Sequence, residues 1–206
     1  MPRGKDLKRR VRARMSRTGE RYTQAREKVR TISGGAPQGV PGWHLGEERE
    51  GAYEAGVDPT DDGKTRAAYL RSVADPGQGF ATLMQMVLAE RYRGRRLRFA
   101  ATVRGESVER WAGLWMRIDG PNDEELGFDN MEERRLSGTF DWGRFEVVLD
   151  VPVEAHAIAF GVLLARLGKV WLRDVKLEIV SSDVPLTRKR RPIAADARNL
   201  DFSEPA

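Results

Sequence analysis

The stretch that decides the fold lies between residues 112 and 180. It reads AGLWMRIDG (112–120), FDNM (128–131), DW (141–142), FEVVLDVP (145–152) and FGVLLARLGKVWLRDVKLEIV (160–180). Apolar residues recur at every second position within the runs, and Gly, Pro, Asn and Asp separate them. This pattern is typical of short strands in a sheet with one buried face. The stretch contains no nucleophile–base pair, metal cluster or phosphate loop, so it informs about fold more than about reaction.

Turn-forming residues recur at similar intervals through the rest of the region 43–182. They separate eight predicted strands, at 51–57, 65–72, 80–89, 95–105, 113–119, 145–151, 157–165 and 169–180. In the fourth of these, Leu97, Phe99 and Val103 alternate with polar residues, as in a half-buried strand. We therefore predict an all-β protein whose globular part is an antiparallel jelly-roll β-sandwich.

The composition limits the class of protein. With 206 residues and 40% apolar residues, the chain has room for one domain of about 150 residues plus extensions. The absence of cysteine excludes disulfides and thiolate metal sites. No apolar run reaches the roughly 20 residues of a membrane-spanning helix, and no signal-peptide pattern is present. We expect a cytoplasmic protein that contacts no membrane and carries no metal or other cofactor.

The positive charge is concentrated at the start of the chain. Residues 1–30 hold 12 Lys and Arg against 3 Asp and Glu, whereas the remaining residues hold 24 against 28. We predict a basic helical arm at 1–31, a Gly/Pro linker at 32–42 and a mobile tail at 183–206. Such an arm suits nucleic acid or another polyanion, although a solvated charged surface is the alternative. The candidate phosphate contacts are Lys5, Lys8, Arg9, Arg10, Arg12, Arg14 and Arg17.

Several segments resemble a known family. They are GFATLMQ, YRGRRLRFAATVRGESVERWAGLWMRIDG, LGFDNMEER, GTFDWGRFEVVLDVP and IAFGVLLARLGKVWLRDVKLEIV, in this order. Together they resemble an accessory β-sandwich module of bacteria that occurs beside S41 tail-specific-type peptidase, erythromycin-esterase-like and helix-turn-helix regulator domains. Its shape is similar to that of carbohydrate-binding modules of the galactose-binding-like class. The resemblance implies a jelly roll over about residues 43–182 and implies no activity, because a fold does not fix a function.

The strand AGLWMRID supplies the predicted ligand site. Its alternation places Ala112, Leu114, Met116 and Ile118 on the core face, and Trp115, Arg117 and Asp119 on the other. An aromatic ring beside a guanidinium forms a platform for a sugar or a base. Gln85, Asp129 and Asn130 are polar candidates to complete it, which gives a predicted site of Gln85, Trp115, Arg117, Asp129 and Asn130. The alternative is an Arg117–Asp129 ion pair with Trp115 packed in a second, minor core.

Other side chains have simpler interpretations. Trp142 and Trp171 are expected to be packing residues near strand starts. Asp58, Asp61 and Asp62 could supply oxygen ligands to calcium, but Asp61 and Asp62 suit a plain turn before Gly63. His44 and His156 are the only histidines, and no GxSxG or HExxH motif is present. We expect no enzyme activity.

Three functions remain open from the sequence. The first is a non-catalytic module that holds a small, carbohydrate-like ligand on one sheet face. The second is a nucleic-acid-associated regulatory protein, in which the arm binds phosphates and the sandwich is a sensor or an oligomerisation domain. The third is a purely structural interaction module. The sequence does not give the oligomeric state.

Overall fold

Nine antiparallel strands make up most of the computed structural model, which describes residues 39–60 and 63–188. They are β1 (His44–Glu47), β2 (Tyr53–Pro59), β3 (Arg66–Ser72), β4 (Phe80–Leu88), β5 (Arg95–Asp119), β6 (Glu125–Asp129), β7 (Leu136–Val151), β8 (Ala157–Ala165) and β9 (Lys169–Val180). One 3-10 turn, Glu132–Arg134, separates β6 from β7. The expected all-β antiparallel sandwich is confirmed, with nine strands instead of eight. The predicted helical arm, residues 1–31, lies outside the described residues.

A single long strand, β5, belongs to two sheets. Its first half pairs with β7 and β9, which gives sheet 1 the order β7–β5–β9–β3–β2. Its second half pairs with β6 and β8, which gives sheet 2 the order β6–β5–β8–β4–β1. The register of β5 against β7 shifts between Val103 and Ala112, and Ser107 has a φ of 50°. The strand therefore bends from one sheet into the other in this region.

The core lies between the inner faces of the two sheets. Phe99 of sheet 1 contacts Phe160 of sheet 2, with ring centroids 5.0 Å apart. Both halves of β5 contribute to the same apolar cluster, which includes Leu97, Phe99, Val103, Leu114, Met116 and Ile118. The predicted core residues Ala112, Leu114, Met116 and Ile118 all belong to this cluster and Trp115 does not, which confirms the predicted alternation of this strand.

The differences from the predicted strands have local causes. The sequence divided β5 into two strands because Gly105 and Ser107 lie at its centre. The space that a side chain at Gly105 would need is filled by the ring of Phe140, so this glycine permits close packing without ending the strand. The strands β1 and β6 were not predicted, since they are short and contain glycine. The run Leu136–Arg144 was not predicted either, and it extends β7 toward sheet 2.

The chain after β9 is bound along the outside of β7. The backbone N–H of Thr187 donates to the carbonyl of Val148 at 3.2 Å. The backbone N–H of Val148 donates in return to Thr187 Oγ1 at 2.8 Å. Arg188 Nη1 donates to the carbonyl of Phe128 at 2.6 Å. Thr187 and Arg188, which belong to the predicted tail, thus cover part of an edge strand.

Within the described residues, no helix has the length and hydropathy that crossing a membrane requires.

Candidate ligand-binding groove

The outer face of sheet 1 carries a row of aromatic and cationic side chains across its strands. Arg104 of β5 lies opposite Trp171 of β9, and Trp171 lies opposite Tyr69 of β3. Trp142 of β7 precedes Gly143, whose partner in β5 is Val103, so Trp142 flanks Arg104 on the other side. Residues directly opposite in adjacent strands share a face. The row therefore reads Trp142, Arg104, Trp171 and Tyr69.

Cations lie against the aromatic rings of this row. Lys169 Nζ is 4.3 Å from the ring centroid of Trp171 and 4.4 Å from that of Tyr69. The guanidinium carbon of Arg104 is 5.4 Å from the Trp171 centroid, and that of Arg173 is 4.5 Å from the Trp142 centroid. These distances fall within the range of cation–π attraction, which fixes both the rings and the cations.

Asp58 on β2 anchors one side of this arrangement. Its Oδ2 accepts hydrogen bonds from Lys169 Nζ at 2.7 Å and from Trp171 Nε1 at 2.9 Å. Partial burial acts to raise the pKa of Asp58, but the hydrogen bonds from Lys169 and Trp171 outweigh it, and the pKa lies below its ordinary value. Asp58 is therefore a carboxylate at neutral pH. It holds the indole in one orientation, as a preorganised binding surface requires.

A groove of about 350 Å³ lies over this row. Its lining combines two indole rings with carboxylate, guanidinium and hydroxyl groups, and consists of Asp58, Pro59, Thr60, Ala67, Arg104, Glu106, Trp142 and Trp171. Aromatic walls with a few fixed polar groups are the usual composition of a ligand site. The arrangement offers stacking surfaces together with hydrogen-bond donors and acceptors, and no nucleophile–base pair is among its lining residues.

The predicted platform residue Trp115 lies elsewhere, on the outer face of sheet 2. Its partner in β8 is Gly161, and its indole N–H donates to Thr82 Oγ1 of β4 at 2.6 Å. The indole thus crosses β8 at a glycine, and only 8% of Trp115 is exposed. It lies outside the main core cluster, which agrees with the alternative of a second, minor core. Little of the Trp115 ring is therefore open to solvent in this structure.

The ion pair of Arg117 and Asp129, which the sequence offered as the alternative to a ligand site, does not form. Arg117 pairs with Asp119, since its Nε and Nη2 lie 2.8 and 3.0 Å from the carboxylate oxygens. Asp129 lies opposite Met116 in the sheet, whereas Arg117 lies opposite Phe128. Successive residues of a strand point to opposite faces, so Arg117 and Asp129 are directed apart.

Asp129 is instead the centre of a buried polar cluster. Its Oδ2 accepts hydrogen bonds from Thr187 Oγ1 at 2.6 Å and from Arg134 Nη2 at 3.0 Å, and its Oδ1 accepts one from the backbone of Met131 at 2.9 Å. Burial acts to raise its pKa, but these three hydrogen bonds hold the pKa below its ordinary value. Asn130 Oδ1 accepts a hydrogen bond from the Glu132 backbone N–H at 3.0 Å. Both side chains therefore order the loop after β6.

The remaining predicted residues are separate from Trp115 or lie outside the described residues. Gln85 of β4 and Met116 of β5 both lie opposite Phe160 of β8. Gln85 is therefore on the core-facing side of sheet 2, whereas Trp115 is on its outer side. Lys5, Lys8, Arg9, Arg10, Arg12, Arg14 and Arg17 lie outside the described residues, as do Asp61 and Asp62. Among residues 39–60 and 63–188, no group of three or more His, Cys, Asp or Glu side chains could hold a metal ion. The ligand role of the five predicted residues stays a prediction.

The aromatic residues of this row, Trp142, Trp171 and Tyr69, were not predicted as a site. They come from three strands that are far apart in the sequence, and the sheet register alone brings them together. One signal was available: Trp171 lies in KVWLRDV, where the alternation places Lys169, Trp171 and Arg173 on the polar side of the strand. An aromatic residue between two cations on the outer side of a strand is more typical of a surface site than of core packing.

The chain is similar to a curated protein of Bacillus subtilis (strain 168) named uncharacterized HTH-type transcriptional regulator YbfP. The two are 39% identical over 170 residues, which is 80% of this chain and 57% of the relative. This chain thus spans little more than half the length of that relative. Because the match covers 80% of the chain, it includes most of the sandwich. No protein-family model matches the chain.

The fold is also similar to that of solved structures, among them a tailspike domain and a xylan-binding domain. The enzymatically active domain of tailspike protein 4 of Bacteriophage CBA120 has a TM-score of 0.53 at 11% identity, over 68% of this chain and 20% of that chain. The CBM22-1 xylan-binding domain of Paenibacillus barcinonensis Xyn10C has a TM-score of 0.48 at 9% identity, over 68% of this chain and 87% of that chain. At such identities, likeness to the tailspike domain concerns the fold alone.

Proposed function

We propose that the sandwich is a non-catalytic module that binds a carbohydrate-like ligand in the groove over Trp142 and Trp171. The observation that carries this proposal is the pairing of two indole rings with polar groups in one groove. The C–H face of a sugar ring packs on an indole, while its hydroxyl groups need both donors and acceptors. Arg104 provides donors, and Asp58, Glu106 and Thr60 provide acceptors.

The rigidity of the groove supports the same proposal. The indole of Trp171 is tied to Asp58, and that of Trp142 is held against Arg173. Trp142 projects from β7, and Trp171 and Arg173 project from β9; both strands pair with β5 in sheet 1. A site built on paired strands keeps its geometry before the ligand arrives, which reduces the entropy lost on binding.

Thermal shifts with neutral β-1,4-linked oligosaccharides of glucose, xylose and galactose test the proposal. A ligand at 100 times its Kd stabilises the folded state by about 2.7 kcal/mol. We expect Trp142→Ala and Trp171→Ala to weaken binding at least about tenfold while the protein stays folded. Phe80→Ala is the matched control, because Phe80 is an exposed aromatic residue on sheet 2. Equal shifts in the groove variants and the wild type would exclude the groove as the site.

A regulatory role is the second candidate, and the named regulator of Bacillus subtilis supports it. In this proposal the sandwich senses a ligand and basic residues of the segment 1–31 bind nucleic acid. We expect full-length protein to bind duplex DNA with an affinity that falls by about 0.9 logarithmic units per phosphate contact for each tenfold rise in salt. Changing Arg9, Arg10, Arg12 and Arg14 together to Gln should flatten this slope. Binding that is independent of both salt and these residues would contradict it, and a concentration-dependent mass without any ligand would favour the structural alternative.

A further inference from the structure

The guanidinium of Arg173 has weak partners at the edge of the groove. Among residues 39–60 and 63–188, its buried Nε has no hydrogen-bond acceptor, and the carboxylate oxygen of Asp174 lies 3.5 Å away. Its Nη1 reaches Thr65 Oγ1 only at 3.5 Å. Arg173 also lies against the face of Trp142, and only about a quarter of its side chain is exposed. A guanidinium has five N–H donors, and these contacts leave most of its capacity unused.

Other arginines on the same face of sheet 1 differ from Arg173. Arg96 donates to both oxygens of Asp150, at 2.7 and 3.0 Å, and to two backbone carbonyls. Arg98 donates twice to Glu178, at 3.0 and 2.8 Å. Desolvated donors without acceptors are costly, so native structures normally pair them. Within the described part of the chain, Arg117 Nε on sheet 2 also lacks a well-aligned acceptor, but Arg117 has a carboxylate oxygen of Asp119 at 2.8 Å, whereas the Arg173 guanidinium has only distant partners and stacks on the groove residue Trp142. This weak pairing beside the groove leaves room for an acceptor that a ligand supplies.

A second guanidinium lies beside it. Arg173 of β9 lies opposite Thr102 of β5. Arg104 lies two residues after Thr102 on β5, opposite Trp171. Such diagonal neighbours are about 7–8 Å apart at the backbone, so one ligand group can reach both side chains. The ring of Trp142 supports one guanidinium and that of Trp171 the other.

We propose that the ligand of the groove is an acidic carbohydrate whose carboxylate or sulfate group is bound by Arg173, with Arg104 beside it. This inference rests on the proposed function and narrows it to a class of ligand. The planar fork of a guanidinium matches the two oxygens of a carboxylate or a sulfate, and the charge strengthens both hydrogen bonds. The stacking on Trp142 holds the fork in place before binding.

The acidic residues of the groove favour a sugar over a nucleic acid. Asp58 and Glu106 line the groove together with Arg104, and Arg173 stacks on Trp142, another lining residue. Carboxylates accept hydrogen bonds from sugar hydroxyl groups, but they repel a chain with one negative charge per nucleotide. A sugar with an isolated acidic group supplies an acceptor to Arg173 and hydroxyl donors to the carboxylates together.

The test compares probes that differ only in charge. Binding of full-length protein is measured by calorimetry for xylohexaose with a single glucuronic acid branch and for its methyl ester, and for cellohexaose and its form with a single 6-O-sulfate. We expect at least one acidic probe to bind at least about tenfold more tightly than its neutral counterpart. Preference for the uronate identifies a carboxylate as the recognised group, and preference for the sulfated probe identifies a sulfate.

Variants assign the preference to Arg173. We expect Arg173→Gln to remove the preference for the acidic probe, so that the acidic and neutral forms of each pair bind the variant with equal affinity. Arg173→Lys keeps the charge but loses the planar guanidinium, so it should retain part of the preference. Arg95→Gln is the control, because Arg95 is exposed at the start of β5. Thermal melting of each variant verifies that it is folded.

The outcomes separate the two proposals. Equal affinity for the acidic and neutral probes, with binding still dependent on Trp142, overturns the inference and leaves the proposed function standing. No binding of any probe overturns both. Binding of a single-stranded oligonucleotide that Arg173→Gln abolishes, without binding of the glycans, also overturns the inference, because the recognised polymer is then a nucleic acid.

Discussion

Replacing Asp129 by asparagine tests the buried polar cluster that ties the loop after β6 to the end of the chain. Asp129 is 6% exposed and accepts hydrogen bonds from Thr187, Arg134 and the backbone of Met131. Asparagine keeps the shape and one acceptor oxygen but removes the charge. Its amide group would then face Arg134 and Thr187, two groups that now donate to the carboxylate.

The structure sets the size of the effect. The hydrogen bond from Met131 survives in the variant, because the asparagine oxygen can accept it. The hydrogen bonds from Thr187 and Arg134 are lost or reversed, and hydrogen bonds to a charged group contribute about 1.5–3 kcal/mol each when they are buried. Arg134 is more than a third exposed, so water replaces part of its contribution. We expect a loss of about 2 kcal/mol, which is about 4–8 °C in Tm for a domain of this size.

Urea denaturation at neutral pH, followed by tryptophan fluorescence, measures this loss. Asp75→Asn is the matched control, since Asp75 is exposed and its one hydrogen bond, to the Gly77 backbone, survives the change. The pKa of Asp129 in the folded protein is below its ordinary value. The carboxylate therefore contributes its full share of the unfolding free energy above the unfolded-state pKa of about 3.9, and this share is lost as the pH falls through the folded-state pKa. The difference in unfolding free energy between wild type and variant should therefore disappear in acid. A gap below about 0.5 kcal/mol at neutral pH, or one that persists in strong acid, would refute this account of Asp129.

Two further variants examine sheet 2. Gly161→Ala should destabilise the protein by about 1–3 kcal/mol, because the new methyl group overlaps the carbonyl oxygen of Leu83 and lies 2.8 Å from Met84 Cα. Gly127→Ala is its control, since the nearest contact there is an ordinary 3.5 Å, and equal unfolding free energies for the two variants would contradict the packing argument. Trp115→Phe should cost about 1–2 kcal/mol through loss of the hydrogen bond to Thr82. In a double-mutant cycle Trp115→Phe and Thr82→Val should be strongly non-additive, and full additivity would show that this hydrogen bond contributes nothing.

The parts of the fold that the sequence predicts well are those with strict alternation between clear turns. The predicted strands 157–165 and 169–180 coincide with β8 and β9. The stretch around Gly105 was misread because glycine also marks a turn, whereas here it accommodates the ring of Phe140 within a continuous strand. The short strand β6 was missed since ELGFD carries the glycine and aspartate that normally indicate a loop.

The candidate site was harder to predict because its surfaces depend on pairs of strands. Alternation correctly placed Trp115 opposite the core face, but its burial depends on Gly161 and Thr82, which lie in other strands. The same holds for the row of Trp142, Trp171 and Tyr69, whose proximity depends on register. Local spacing determines which side of a strand a residue occupies, and it carries no information about what lies next to that residue in space.

The path of β5 through both sheets has a consequence for how the molecule responds to a ligand. Neither sheet can open alone, because the same strand is central to each and would have to release its partners on both sides. The sandwich should therefore unfold as one cooperative unit, and its most protected amide hydrogens should lie in β5. Free energy gained by binding on sheet 1 then stabilises sheet 2 to the same extent. The groove and the opposite side of the molecule are thus energetically coupled without any change of shape.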